Sequence, residues 1–323
     1  MKTGWERMRQ EEPFDREWAE ELLYQYDPDA RLVEAQRLTG GLSNTNFLLL
    51  LAGAQKLVLR IPHDRQCLAK EQAVHNLLET IEFVPHMQVC GSTGSEQAAF
   101  LDWKKGTLLR DVLGKVSDPK QEEAGKSVGR AMGRFRNIAS FSRAGDLDVN
   151  LEIGFPFSLT PAFYNSTFDY FFSAGKTGRH LHPGLAREVR RFAVKHATLL
   201  ESDTSGTGLV HGDFNGLNIL MEGTEVSAVL DWEFAMAGSI YIDLGNLIRY
   251  DTYPDFVRFE AGVLAGLKQE GIELPEEWRK LARLADLVSL CSMLDHDEVG
   301  PIRNADLTRL ITQTVNDPVF ISE

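Results

Sequence analysis

The spacing of apolar positions changes period several times along this chain. Residues 1 to about 30 are polar, with Trp18, Leu22, Leu23 and Tyr26 on one face of an amphipathic stretch, which predicts a helical lead-in. In RLTGGLSNTNFLLLLAGAQKLVLRIP two apolar runs flank Gly53-Ala54, as in a β-hairpin. AKEQAVHNLLETI, residues 69–81, returns to the helical period. Its stripe of Ala73, Val74, Leu77, Leu78 and Ile81 is expected to pack on the hairpin, with Glu71 near the helix start. AAFLDW, residues 98–103, reads as a further strand, and WKKGTLLRDVL as the connection into a mostly helical second half. There Asp118-Pro119 with Gln121 predicts a capped helix start, followed by the stripe Ala124, Val128, Met132 and Phe135. Leu185, Val189, Phe192, His196 and Leu199 predict a helix over 184–201, and two more are expected near 277–294 and 305–315.

Between these helices the period shortens again. Leu209-Val210 and Ile219-Leu220 read as strand fragments, and the loop between them, HGDFNGLN, carries His211, Asp213 and Asn218. A polar loop held by packed strands on both sides is a good place for chemistry. VSAVLDWEFA then reads as a second strand ending at Asp231.

Composition narrows the chemistry. A chain of 323 residues is long enough for two lobes with a cleft between them. Its net charge of −13 argues against a nucleic-acid partner, which rewards clustered Lys and Arg, and is compatible with a cationic substrate. Most of that charge reads as an acidic surface that keeps a protein dispersed. Cys67, Cys90 and Cys291 are far apart and show no CxxC spacing, so they read as reduced core thiols rather than a disulfide framework or a zinc site. The first residues lack the apolar run of a signal peptide, and no apolar segment approaches membrane-spanning length, so a cytoplasmic location without a membrane partner is expected.

Two acids and an amide at the ends of adjacent short strands can meet at one point. Mg2+ takes few, hard oxygen ligands and lets phosphate oxygens and water complete its octahedron. Phosphoryl transfer needs one acid to orient or deprotonate the attacking hydroxyl, and an Asn with a second Asp to hold metal on the nucleotide. Asp213, Asn218 and Asp231 offer those three groups.

His211-Gly212-Asp213, Asn218 and Asp231-Trp232, in that order, resemble the aminoglycoside phosphotransferase family, which shares the protein-kinase-like fold. The resemblance runs over about residues 36–247. It implies a catalytic Asp213, with Asn218 and Asp231 binding metal. LTGGLSNTNF resembles the nucleotide-covering loop, with Gly40 and Gly41 for close backbone approach and Ser43 and Asn44 as further donors. KLVLR resembles the strand that carries the phosphate-binding cation, Glu71 the helix carboxylate paired with it, and AAFLDW the hinge strand, bringing Leu101 and Trp103 to the nucleotide. The family's usual strand Lys is Arg60 here. Alternation puts Lys56, Val58 and Arg60 on one face, so Val58 is expected to cover the adenine and either Arg60 or Lys56 to reach the phosphates.

The resemblance therefore implies a bilobal α+β fold, with a strand-rich nucleotide-binding lobe over 1–103 and a helical catalytic and substrate-binding lobe over 104–323. The implied activity moves the γ-phosphoryl group of ATP or GTP, with Mg2+, to a hydroxyl of a small molecule. An aminoglycoside-like antibiotic is the favoured acceptor, followed by choline, a sugar or an amino-acid alcohol.

Plainer readings stand beside these. His211 reads as an organiser of its loop rather than a base, Glu71 as a first-turn carboxylate, and Gly40-Gly41 as a tight turn. Asp243 in YIDLGNL resembles the family's acid that braces the catalytic loop, and Glu233 faces substrate or solvent. Asp295, Asp297 and Glu298 read as a solvated charge run, or, by the resemblance, as part of a pocket for an amine-bearing acceptor. A metal-dependent hydrolase with His211, Asp213 and Asp231 as ligands, and a non-catalytic nucleotide-binding module, are the readings from other classes.

Overall fold

The structure, a computed structural model, describes residues 1–2, 4–7, 12–39, 41, 43–64, 67–91, 97–115 and 118–320. Gly40 and the Asp118 side chain lie outside the described residues.

The first lobe is an antiparallel sheet with two helices. Helix α1 (Arg16–Tyr26) starts at Asp15, whose carboxylate accepts the Trp18 N–H, and buries Ala19, Leu22 and Leu23. Strands β1 (Leu32–Leu38), β2 (Thr45–Leu51), β3 (Lys56–Ile61), β4 (Met87–Cys90) and β5 (Ala98–Asp102) pair in the order β1-β2-β3-β5-β4. Along β2 burial alternates, so Phe47, Leu49 and Leu51 join Leu57, Leu59 and the α1 stripe in one small core. The predicted hairpin is β2 and β3, and Val58 and Arg60 stand opposite Leu101 and Ala99 of β5.

Helix α2 (Cys67–Leu77) begins and ends earlier than its sequence pattern predicts. Leu68 packs under the sheet with Met87, Ala99 and Leu101. Val74, Leu78 and Ile81 do not cover the hairpin; they join the large core that also holds Phe135, Phe214 and Trp232. The helical period explains the difference. Glu71, Val74 and Leu78 share one face, so turning Glu71 to the cleft also turns the apolar stripe toward the second lobe.

The second lobe contains β6 (Thr107–Leu108), α3 (Leu109–Leu113), α4 (Asp118–Arg136), β7 (Gly145–Leu147), β8 (Ile153–Pro156), α5 (Pro161–Ser173), α6 (Thr177–His180) and α7 (Pro183–His196). It continues with β9 (Gly208–Val210), β10 (Ile219–Glu222), β11 (Glu225–Val229), β12 (Met236–Gly238), α8 (Tyr241–Ile248), α9 (Phe256–Gln269), α10 (Trp278–Ser292) and α11 (Pro301–Val315). Two small sheets, β11-β10-β6 and β8-β7-β12-β9, place the loop between β9 and β10 at their junction. The close crossing of α4 and α9 depends on glycine: a Cβ on Gly129 would meet the Val263 carbonyl oxygen at 2.1 Å, and one on Gly262 the Glu122 carbonyl oxygen at 2.1 Å. Among the described residues no helix is long and apolar enough to cross a membrane.

Candidate active site

The loop after β9 is fixed from below. Asp243, in the first turn of α8 and fully buried, accepts the backbone N–H of His211 at 2.7 Å and of Gly212 at 2.9 Å. Burial pushes the Asp243 carboxyl above its ordinary value. The His211 ring donates from Nε2 to the Leu230 carbonyl (2.8 Å) and accepts the Asp213 N–H at Nδ1 (3.2 Å), which assigns the neutral Nε2–H tautomer. His211 is thus an organiser with both nitrogens used, and neither is left to bind a metal. Its ring lies 4.6 Å from Trp232, which with Phe135 and Phe214 forms an aromatic support behind the loop. Gly212 has φ +79°, and a Cβ there would meet the Phe234 carbonyl oxygen at 2.3 Å, so only glycine fits between the histidine and the acid.

These constraints present the Asp213 carboxylate. Asn215 Nδ2 donates to its Oδ1 (2.8 Å) and Asn218 Nδ2 to its Oδ2 (3.0 Å), and both amides also donate to the Asp213 carbonyl. Asn246 of α8 donates to the Gly212 carbonyl and is itself held by Arg249, which is buried against Asp286. Asn215, Asn246 and Arg249 were not foreseen. Asn215 lies within the quoted loop and was legible as a short polar residue suited to turn geometry; the other two have no local signal.

The second group forms across the cleft. Arg60 donates to Glu71 at 2.8 Å and also to Asp231. Glu71 is a buried partner of Arg60 rather than an exposed first-turn acid. Burial would raise its carboxyl, and the guanidinium overrides this and holds it below its ordinary value. Lys56 is exposed at the start of β3, whereas Arg60 is buried against Glu71 and Asp231. Asp231 follows β11 with φ +69°, a left-handed backbone that aims the carboxylate back at Arg60. Asn218 and Asp231 are joined through the strands: the Leu230 N–H donates to the Asn218 carbonyl at 2.8 Å.

Glu233 sits 3.9 Å from Arg60, and its Oε1 is buried with no hydrogen-bond partner. Burial first, and then the Asp231 charge, push its carboxyl up to about 7. Three carboxylates, Glu71, Asp231 and Glu233, thus face one guanidinium, and the cluster lacks positive charge. A divalent cation fits that deficit. Among the described residues no three His, Cys, Asp or Glu form an all-protein metal cage, as a site that relies on substrate oxygens and water does not require.

Of the residues expected to meet a nucleotide, Val58 and Leu101 are neighbours at the cleft face of the sheet. Trp103 is partly exposed just beyond β5. Gly41 and Ser43 are exposed, and the Asn44 side chain is buried and accepts the His63 N–H at 3.0 Å. Asp295 accepts the Lys176 backbone N–H and Asp297 pairs with the Lys176 ammonium. A cavity of about 340 Å³ is lined by residues including Lys2, Tyr250, Tyr253, Asp306 and Arg309, and Lys2 links it to Asp213.

A bilobal kinase-like frame with an acid and an amide on one loop, facing a second acid held to a strand cation, defines a small-molecule kinase. A sequence model of the phosphotransferase enzyme family matches residues 34–284, and the chain belongs to that family. Solved structures similar to it include the aminoglycoside phosphotransferase APH(4)-Ia, with TM-score 0.70 and 14% identity over 96% of this chain and 100% of that one. Another is the macrolide 2'-phosphotransferase MphH from Brachybacterium faecium, with TM-score 0.58 and 15% identity over 94% and 99% of the two chains. A homoserine kinase from Gluconobacter oxydans (strain 621H) is 28% identical over 116 residues, 35% of this chain and 35% of its own length.

Proposed function

We propose that this chain moves the γ-phosphoryl group of ATP or GTP to a hydroxyl of a small molecule in the cleft between its lobes. The observation that carries the reading is the convergence just described: Asp213 and Asn218 are locked together on one loop, and Asp231 is tied to the Arg60–Glu71 pair opposite. Asp213 receives the hydroxyl proton and orients its oxygen for in-line attack. Asn218 and Asp231 would hold Mg2+, which supplies neutralisation of the charge on the transferring phosphoryl group. Arg60, braced by Glu71, contacts the phosphates as a permanent charge. The loop containing Gly40, Gly41, Ser43 and Asn44 covers the phosphates, and Val58, Leu101 and Trp103 line the base. Residues 1–103, apart from Lys2, Trp5 and Glu6, which lie against the second lobe, make the nucleotide-binding lobe and 104–323 the catalytic and acceptor-binding lobe. Little covalent chemistry falls to the protein, so positioning and charge stabilisation do most of the catalysis.

An aminoglycoside-like acceptor is favoured, supported by the fold likeness to APH(4)-Ia, a thermostable mutant of which has been solved as a ternary complex with AMP-PNP and hygromycin B. The homoserine kinase match supports an amino-acid alcohol as the second reading. Turnover of MgATP and MgGTP over a panel containing hygromycin B, other aminoglycosides, macrolides, choline and L-homoserine decides between them. Asp213→Ala is expected to lower turnover at least 10³-fold, the scale of a lost general base with its positioning, while nucleotide still binds. Full activity in that variant refutes the role. Asp231→Ala is expected to lose the thermal shift that MgATP gives the wild type.

A further inference from the structure

The first residues are not a helical lead-in. Residues 1–2 and 4–7 cross the cleft and touch three parts of the candidate site. Lys2 Nζ lies 3.1 Å and 3.2 Å from the two carboxylate oxygens of Asp213, and the Lys2 backbone N–H donates to the Tyr250 hydroxyl at 3.2 Å. Trp5 is buried, with its indole N–H on Asp306 (3.0 Å) and the Arg303 guanidinium over its ring. Glu6 accepts the N–H groups of Ile302 and Arg303 at the start of α11 (2.7 and 3.0 Å). Arg7 donates to the carbonyls of Gly41, Ser43 and Asn44 in the glycine-rich loop.

An ammonium group has donors and no acceptor. An acceptor hydroxyl must donate to Asp213, and Lys2 already does so at both oxygens, leaving the carboxylate neither free nor uncompensated. We propose that residues 1–2 and 4–7 form an autoinhibitory strap, in which the Lys2 ammonium holds the position on Asp213 that an acceptor hydroxyl must take, so that strap and acceptor compete. The inference rests on the reading of Asp213 as the proton-receiving residue. The strap is built to leave. It has no regular secondary structure and one buried apolar anchor, and Lys2 sits at φ +46°, a conformation that L side chains rarely adopt. Asp306, Tyr250 and Lys2 also line the 340 Å³ cavity, so a molecule filling it meets the strap's own anchors. Arg7 extends the contact to the nucleotide side, so that one segment bridges both substrate positions.

The test uses the full chain and MgATP, with water as acceptor and phosphate release as the readout. Lys2→Ala is expected to release phosphate about tenfold faster than the wild type, and Lys2→Arg, which keeps a cation at Asp213, at the wild-type rate. Glu6→Ala, which unhooks the strap from α11 without touching Asp213, is expected to reproduce the rise. Amide exchange at Lys2 and Trp5, whose N–H groups donate to the Tyr250 hydroxyl and the Lys2 carbonyl, is expected to be faster in Lys2→Ala than in the wild type. Release by Lys2→Ala at or below the wild-type rate, or exchange at these two amides that the substitution does not speed, overturns the strap alone. No turnover from any of the proteins, with water or with the acceptor panel, overturns the kinase reading, and the strap with it.

Discussion

Replacing Asp243 by Asn tests whether the loop geometry is set from the second lobe. The carboxylate accepts two backbone N–H groups, at 2.7 and 2.9 Å, from a fully buried position. Charge-assisted hydrogen bonds of this kind contribute roughly 1.5–3 kcal/mol each. Asparagine keeps one carbonyl oxygen and turns an amide N–H toward the other donor, so one bond becomes a donor facing a donor. The loss is about 2–4 kcal/mol. Burial already disfavours the ionised Asp243, and the neutral amide recovers part of that, which places the expected loss near 2 kcal/mol. With a urea dependence of about 3 kcal/mol/M, the unfolding midpoint falls by roughly 0.7 M. The larger effect is expected in catalysis. His211 and Gly212 lose their anchor, and a displacement of about 1 Å at Asp213 costs on the order of 10²-fold in turnover. Urea titration by circular dichroism, paired with MgATP turnover at a temperature where the variant is fully folded, separates the two. An unchanged midpoint with turnover within twofold of the wild type refutes the bracing role, and a lowered midpoint with unchanged turnover refutes its link to catalysis.

Further expectations concern the cleft cation, the helix crossing and the lobe contact. Arg60→Ala strands the buried Glu71 carboxylate and is expected to cost about 3–5 kcal/mol with loss of MgATP binding, whereas Lys56→Ala, at an exposed strand end, changes neither; equal effects of the two would show that the phosphate cation is misassigned. Gly129→Ala drives a methyl into the Val263 carbonyl and is expected to cost about 1–3 kcal/mol or more, while Gly154→Ala, whose Cβ meets nothing nearer than 3.9 Å, stays within about 0.5 kcal/mol by thermal melting. Glu82 is held down to about 2 by paired hydrogen bonds from Arg134, so its contribution is present above its ordinary 4.5 and is lost as pH falls toward 2. Because both side chains are more than a third exposed, that contribution is under about 1 kcal/mol, and the melting gap between wild type and Glu82→Gln is expected to hold from pH 7 to 4.5 and shrink below; a gap independent of pH removes the pair.

What the amino-acid order determined by itself was local and periodic. Alternation along LVLR set Val58 and Arg60 on one face, the apolar runs set the hairpin, and the polar residues of HGDFNGLN had to occupy a loop because strands closed on either side. Only the tertiary structure paired Arg60, and not Lys56, with Glu71 and Asp231 across the cleft. Only it turned the α2 stripe toward the second lobe, brought Asn246 and Arg249 beneath Gly212, and laid Lys2 on Asp213. A period along the chain records which face of an element is apolar and nothing about which partner that face will meet. Charges distant in sequence find each other only when packing brings their elements together, so no local pattern carries their pairing.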